Sequence, residues 1–243
     1  MSSLGIPRVH LRSTDSTNDR ARRLAIEGAP HGTLVTASVQ TAGRGRQGRI
    51  WTAPAHSSVL MSLILRSPPA LLPLIAAVAV CDVAGDDALI KWPNDVVIVR
   101  DEGLAKLAGI LAEGRPQEGW AVLGIGLNVA VRPEDLPDGL RERTATLGES
   151  TEDIEPRLEL LLQALSRRLA EEDSATLEDW RARDALYGRE IAWGAHATAG
   201  LLGRGRAQGI DGTGRLMVAL EEGGHTALDA GEVHLHGLTP ERG

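Results

Sequence analysis

Seven consecutive residues, Gly43 to Arg49 (GRGRQGR), hold three glycines and three arginines and follow directly on a β-branched run, Thr33 to Val39. Glycine lets the backbone take positive φ and approach a ligand closely. Arginine offers a fixed fork of donors to carboxylate or phosphate. A segment of this make-up is suited to closing over a small anion, and the surrounding fold has to deliver it to one. Gly43-x-Gly45-x-x-Gly48 also spells the dinucleotide-binding fingerprint. That fingerprint must open a helix and be followed by an acidic residue roughly 20 positions on. Here Arg49-Ile50-Trp51-Thr52-Ala53-Pro54 is too short and too Pro-interrupted to start a helix, and the next acidic residue is Asp82. The dinucleotide reading fails.

Composition narrows the partners. With a net charge of −7, the whole-molecule field does not draw in nucleic acid, so the basic cluster at 44–49 is a local exception. At 243 residues the chain can hold one large domain, or one large and one small. One Tyr and no Phe leave Leu, Val, Ile and Ala to fill the core. A lone Cys81 inside an apolar helical run reads as a buried structural thiol and rules out an intrachain disulfide framework. The N-terminal MSSLGIPRVHLRSTDS has no apolar h-region, and the longest apolar run, Leu74 to Cys81, is far short of a bilayer span. A soluble cytoplasmic protein without membrane contact is the expectation.

Along the chain, Ser16 or Thr17 can cap a helix from Asp19 that Gly28 ends. Taken alone, Ser16-Thr17-Asn18 is read as that cap. Ser57 to Leu65 reads as a buried strand and Leu71 to Ala84 as a buried helix. Two apolar strand runs, from Leu89 to Val99, are interrupted by Lys91-Trp92-Pro93-Asn94-Asp95. An ordinary hairpin accounts for the bend, but lysine and aspartate bracketing it between buried strands favour a site. Lys106 opens the apolar stretch KLAGIL, with Gly109 placed where a side chain would obstruct a pocket. A solvated strand end is the alternative for this lysine. In the next strand, Trp120 to Val131, Gly124 and Gly126 thin one side. Asn128 there must find partners, backbone or ligand.

Residues 132–153 read as loop, followed by helices at about 155–172 and 177–187 whose apolar faces cover a core. From Arg189 the texture changes. Short runs at 190–193, 204–210, 216–220, 226–230 and 233–235 alternate with Gly-rich turns, which describes a small β-barrel. The expected division is a catalytic domain over 1–188 and a second unit over 189–243, with no internal repeat.

In combination these segments are sharper than any one of them. STN, Q-x-A-G-R-G-R-x-G-R-x-W, K-W-P-N-D, K-L-A-G-I-L-x-E and G-I-G-x-N, in that order over roughly 16–131, resemble the biotin protein ligase family. The C-terminal GRGRAQGIDGTGRLMV and GEVHL are similar to that family's SH3-like domain. The resemblance implies an α+β fold: a mixed, class II synthetase-like sheet flanked by helices, then a small SH3-like barrel. It implies ATP and biotin as substrates, with Mg²⁺ held mainly by the ATP phosphates and Asp95 as the protein group able to join. The partner it implies is the biotin carboxyl carrier protein or domain of acetyl-CoA carboxylase or a related carboxylase.

By the same resemblance, Ser16, Thr17, Asn18 and Gln40 hold the biotin head group and Trp51 packs on it. Gly43, Arg44, Gly45 and Arg46 form the covering loop. Lys91, Asn94 and Asp95 sit on the phosphate side, Lys106 is the central catalytic lysine with Gly109 clearing its pocket, and Asn128 faces adenine. Arg44 is expected to help Lys106 offset charge at the α-phosphate, and Asp95 to act as base in acyl transfer. Fifteen residues before STN leave no room for a helix-turn-helix, so repression of DNA is not expected. The segment 132–147 offers no Trp, so no residue is assigned to stack on adenine. A lipoate-type adenylating ligase is the nearest alternative. A nucleic-acid-binding protein is the alternative from another class, opposed by the acidic charge and the scarcity of stacking aromatics. No G-x-x-x-x-G-K-[ST] occurs.

Overall fold

A computed structural model describes residues 4–101, 103–115, 118–194, 201–229 and 232–235. Its centre is a seven-stranded mixed sheet. The chain enters through β1 (Arg8–Leu11), crosses over by α1 (Thr17–Ile26) and returns as β2 (Leu34–Ala37), parallel to β1. A small hairpin, β3 (Gly43–Arg44) with β4 (Ile50–Trp51), precedes β5 (Ser58–Arg66). After α2 (Leu72–Ala84) come β6 (Ala88–Lys91), β7 (Asp95–Arg100), β8 (Gly103–Arg115) and β9 (Trp120–Asn128). The spatial order is β1-β2-β5-β9-β8-β7-β6, with every pairing beyond β1–β2 antiparallel.

The two faces differ. Helix α2, apolar all round, lies on one face with the later α4 (Ile154–Arg168) and α5 (Asp173–Ala182), where Val59, Leu63, Leu107 and Leu123 join the main core. α1 covers only part of the other face, over Val35, Ile64, Trp120 and Val122. The uncovered remainder of that face carries the site. Cys81 is buried in α2, and burial pushes its thiol up to about 12, which fits the inert role expected of it.

Val9 and Leu11 belong to edge strand β1. Two sequence expectations are revised. The segment read as loop over 132–153 holds a short α3 (Asp138–Arg141) between two 3-10 turns. The second covering helix starts earlier than expected and ends at Ala182. The five short C-terminal strands all form: β10 (Glu190–Gly194), β11 (Leu201–Ile210), β12 (Leu216–Leu220), β13 (His225–Leu228) and β14 (Glu232–Leu235). They make one antiparallel sheet, ordered β13-β12-β11-β10-β14. Its Ile191, Ile210 and Val218 continue the main core, and Trp92 Nε1 donates to Gly214 O at 3.1 Å. Glu102 and Gly231, the first residue of GEVHL, lie outside the described residues. No helix among those described is long and apolar enough to cross a membrane.

A buried ion cluster locks the helical layer. Asp82 of α2 accepts from Arg168 Nε (2.7 Å) and Nη2 (2.9 Å), from Arg167 Nη2 (2.7 Å) and from Arg183 Nη2 (3.3 Å). Burial opposes ionisation of Asp82, but the Arg168 and Arg167 guanidiniums outweigh it and hold the carboxyl below its usual range. A depressed folded-state pKa contributes stability above the unfolded value of about 4, and that stability is lost as pH falls through the folded value. Asp82→Asn should therefore lower stability at neutral pH by about 1–3 kcal/mol, because Arg168 loses its main partner and keeps Glu171 and Asp179. Denaturant melts across the acid range should show the gap between mutant and wild type closing as pH falls below about 4.

Candidate active site

The register of the sheet places the site. Across five strands, Leu60, Gly126, Gly109, Asp95 and Lys91 stand opposite one another in a single row on the open face. One row over lie Ser62, Gly124 and Leu111. Two of these positions are bare because something rests on them. A Cβ on Gly126 would stand 2.5 Å from Trp51 Cε2, and one on Gly109 would stand 2.8 Å from Trp51 Cζ3. The indole of Trp51 thus lies flat on glycine backbone, with Lys106 Nζ 5.4 Å from its ring centre.

At one end of the cavity the lining is polar and uncharged. Ser16, Thr17 and Asn18 are buried at the start of α1. Thr17 donates from its backbone N (2.7 Å) and its hydroxyl (3.0 Å) to Gln40 Oε1. Ser62 Oγ lies 2.8 Å from Thr17 Oγ1 and donates to Asn18 Oδ1 at 2.6 Å. Asn18 Nδ2 donates to Glu113 Oε2 at 3.2 Å. Ser16 holds the N-cap position but makes no side-chain cap bond. The cap reading of STN therefore accounts for the helix start and leaves the three side chains to the cavity.

At the other end the lining is cationic. Lys91, Lys106, Arg46 and Arg49 converge there around Asp95, whose Oδ1 is 2.7 Å from Lys106 Nζ. Burial, then the neighbouring Lys106, Arg49 and Arg143, push the Lys91 ammonium below its usual range against the pull of Asp95. Asn94 fixes the turn by donating to Ile110 O (2.8 Å), and its Oδ1 accepts from Arg46 Nη1 (3.3 Å). The KWPND segment is thus both an ordinary hairpin turn, with Lys91 paired to Asp95, and a wall of the cavity.

Lys106 is not at a solvated strand end. It sits within β8 at a bulge, where Val96 pairs with Ala108 and Val97 with Lys106, leaving Leu107 as the extra residue. Its N–H goes to Arg143 O (2.7 Å) instead of to β7.

Two further side chains are already engaged. Arg44 lines the cavity, but its guanidinium is bonded to protein carboxylates. It donates to Asp19 Oδ1 (2.8 Å) and to both oxygens of Glu113 (3.1 and 2.8 Å), which pins the hairpin to α1 and β8. Asn128 does not line the cavity: its amide donates to Lys106 O (3.4 Å) and Ala145 O (3.0 Å), and its Oδ1 accepts from Ser58 (3.3 Å). The Gly/Arg stretch is a hairpin with a 3-10 turn at Arg46–Gly48. Gly43 is needed at its base, since a Cβ there would meet Trp51 O at 2.5 Å. Sequence reasoning gave no site role to Asp19, Ser62, Arg143 and Glu113, and took Arg49 only as part of the basic cluster. For Glu113 a signal existed, because strand alternation from Gly109 puts 111 and 113 on the same face.

With this geometry in view, the comparisons with known proteins agree over most of the chain. Residues 10–129 match the biotin/lipoate A/B protein ligase family, and residues 201–235 match the biotin protein ligase C-terminal domain. The biotin–[acetyl-CoA-carboxylase] ligase of Mycobacterium tuberculosis is 35% identical over 239 residues, covering 90% of this chain and 85% of that protein. Its counterpart from Paracoccus denitrificans is 33% identical over 249 residues, covering 93% of this chain and 100% of the relative. The bifunctional ligase/repressor BirA of Bacillus subtilis is 42% identical over 147 residues, but the match spans only 44% of its length. Among solved structures, the biotin protein ligase of Aquifex aeolicus in complex with biotin and ATP superposes with a TM-score of 0.77 at 26% identity, covering 94% of this chain and 98% of that one.

The bare positions give a direct test of the packing. A Cβ on Gly124 would fall 2.0 Å from Asn18 Oδ1. Gly124→Ala should lower stability by about 1–3 kcal/mol, since the amide must leave its bond to Ser62. Thermal melts of Gly124→Ala, Asn18→Ala and the double mutant should be non-additive, the double mutant being less destabilised than the sum. Strict additivity would show that the two residues do not compete for the same space.

Proposed function

The chain belongs to the biotin protein ligase family, and on that basis we propose that it activates biotin with ATP and then biotinylates a carrier protein. The observation that carries the reading is the polarity gradient along one cavity. Biotin presents a neutral ureido ring, an apolar bicycle and a carboxylate tail. The neutral donors and acceptors of Thr17, Asn18, Gln40 and Ser62 suit the ring, the Trp51 indole suits the bicycle, and the cations around Lys106 suit the tail and the ATP phosphates.

In the first step a carboxylate oxygen of biotin bonds to the α-phosphorus, the Pα–O bond to the β-phosphate breaks, and pyrophosphate leaves with biotinyl-5′-AMP formed. Two anions must meet, so fixed cations lower the barrier as charge builds on the α-phosphoryl oxygens. Lys106 is assigned this task, held in place by Asp95 at 2.7 Å, with Lys91 and Arg46 on the pyrophosphate side. Arg44, its charge already met by Asp19 and Glu113, is assigned instead to fixing the covering hairpin. In the second step the amine of a carrier lysine bonds to the acyl carbon and AMP departs. Asp95 is the carboxylate placed among these groups to accept the amine's proton.

No group of three or more His, Cys, Asp or Glu able to cage a metal occurs among the described residues, and Asp95 is already paired. Mg²⁺ therefore fits here only as part of the ATP it accompanies, where it screens phosphate charge. The proposed protein substrate is the carrier domain of acetyl-CoA carboxylase or a related carboxylase.

The deciding measurement is biotin-dependent exchange of labelled pyrophosphate into ATP. Exchange supported by lipoate and not by biotin would move the protein to the other branch of the family, and absence of both would overturn adenylation. Lys106→Ala should cut exchange by on the order of 10²-fold or more while biotin affinity stays near wild type. Wild-type exchange by this variant would remove Lys106 from the chemistry.

A further inference from the structure

One step back from the neutral end of the cavity, behind Asn18, stands a carboxylate. Glu113 of β8 shares its Oε2 between Arg44 Nη1 at 3.1 Å and Asn18 Nδ2 at 3.2 Å, and its Oε1 accepts from Arg44 Nη2 at 2.8 Å. Asp19 holds Arg44 from its other side at 2.8 Å, so the carboxylate is fixed by a guanidinium that is itself fixed. Paired with a guanidinium, a carboxylate only accepts, whereas an asparagine amide has one accepting and one donating end. The end of Asn18 turned to Glu113 must therefore be Nδ2, and Oδ1 must point away from it. There Oδ1 accepts from Ser62 Oγ at 2.6 Å and lies 2.0 Å from the place of a Cβ on Gly124, at the cavity floor. Asn18 is 4% exposed, so solvent does not satisfy Oδ1, and Ser62 takes one of its two lone pairs.

The remaining lone pair needs an N–H from the cavity's occupant. A cyclic urea carries ring N–H groups. A dithiolane carries none and would leave this acceptor buried and unpaired, the costlier of the two mismatches. We propose that Glu113 is a positioning residue for headgroup selection: it holds the Asn18 amide with Oδ1 toward the cavity, so that the site takes a ring bearing an N–H at this point. The inference rests on the ligase reading above and deepens it, by naming the group that sets which end of Asn18 the substrate meets. Replacing Glu113 by glutamine, of nearly the same size, isolates the role of the charge. Arg44, which only donates, would claim the new side chain's oxygen and leave its NH₂ toward Asn18. Two donors cannot face each other, so the Asn18 amide would turn over and send Nδ2 to Ser62 Oγ and the cavity. The acceptor offered to the substrate would become a donor.

Wild type is assayed first for biotin-dependent pyrophosphate exchange; its absence removes the ligase reading and this inference with it. Given exchange, biotin is compared with two cyclic carbamates of the same skeleton, in each of which a ring oxygen replaces one ureido N–H. In wild type one of the two should show a KM about tenfold or more above that of biotin, because it sets an acceptor against an acceptor. In Glu113→Gln the KM for biotin should rise about tenfold and that for this carbamate should not, so the ratio of the two collapses toward one. A glutamate that merely ties the hairpin to the sheet would, when replaced, raise the KM for biotin and for both carbamates alike and leave the ratio where it was. Wild type that treats biotin and both carbamates alike, or a ratio unchanged in Glu113→Gln, overturns the proposal. Should Glu113→Gln fail to fold, wild type alone decides through nuclear Overhauser contacts of the Asn18 Nδ2 protons. Contacts to the Glu113 side chain that persist with biotin bound support the assignment; their replacement by contacts to the biotin ring sinks it.

Discussion

Residues three apart on a regular strand point to opposite faces, so ordinary alternation along β8 would put Lys106 and Gly109 on different sides of the sheet. The extra residue at Leu107 reverses this parity. Leu107 turns into the core, fully buried, while Lys106 comes round to stand beside Gly109, where its Cε and Nζ lie 3.1 Å from the space a Cβ would take. The N–H released from the β7 ladder finds Arg143 O, and the Lys106 carbonyl accepts from Ala145 and from Asn128. Both backbone groups of Lys106 thus find partners outside the β7 ladder. The bulge is the feature that lets a lysine, an aspartate and a tryptophan meet over one row of the sheet.

The remaining architecture separates two electrostatic problems. A neutral ring system needs donors and acceptors without charge, and these come from a helix start whose hydroxyls and amides are bonded to Gln40 and Ser62. A reacting phosphate needs cations, and these come from a hairpin turn, a strand bulge and the Gly/Arg hairpin. Burial first, and then the neighbouring Lys106, Arg49 and Arg143, push the Lys91 ammonium below its usual range, so the charged form is held at a cost. The arginine network around Asp82, on the far face, supports a helical layer that has no part in the chemistry.

Much of this was legible in the sequence because it depends on local pattern. The buried strands, the apolar α2 and the five short C-terminal strands follow from periodicity and turn residues, while the grouping of STN, Gln40, KWPND and Lys106 rests on the resemblance of the ordered motifs to the biotin protein ligase family. What escaped depends on contacts between distant segments. Nothing local shows that Asp19 and Glu113 will claim Arg44, 25 and 69 residues away along the chain. Asn128 was recognised as needing partners, but that they are the carbonyls of Lys106 and Ala145 depends on how segment 143–145 docks. The bulge was invisible for a related reason: KLAGIL reads equally well as unbroken strand, and only the β7 register exposes the extra residue.

The wall formed by β14 has a consequence for the order in which the protein becomes competent. A chain is synthesised from its N-terminus, and its parts can begin to fold in that sequence. The neutral pocket, the hairpin, the bulge and the cations are all encoded before residue 144, so the larger sheet can assemble while the small one is still being made. Val233 is the last residue of the cavity lining to be made, after the Gly214 carbonyl that Trp92 Nε1 meets. A nascent chain can thus complete the neutral end of this cavity well before the last wall of its cationic end is in place.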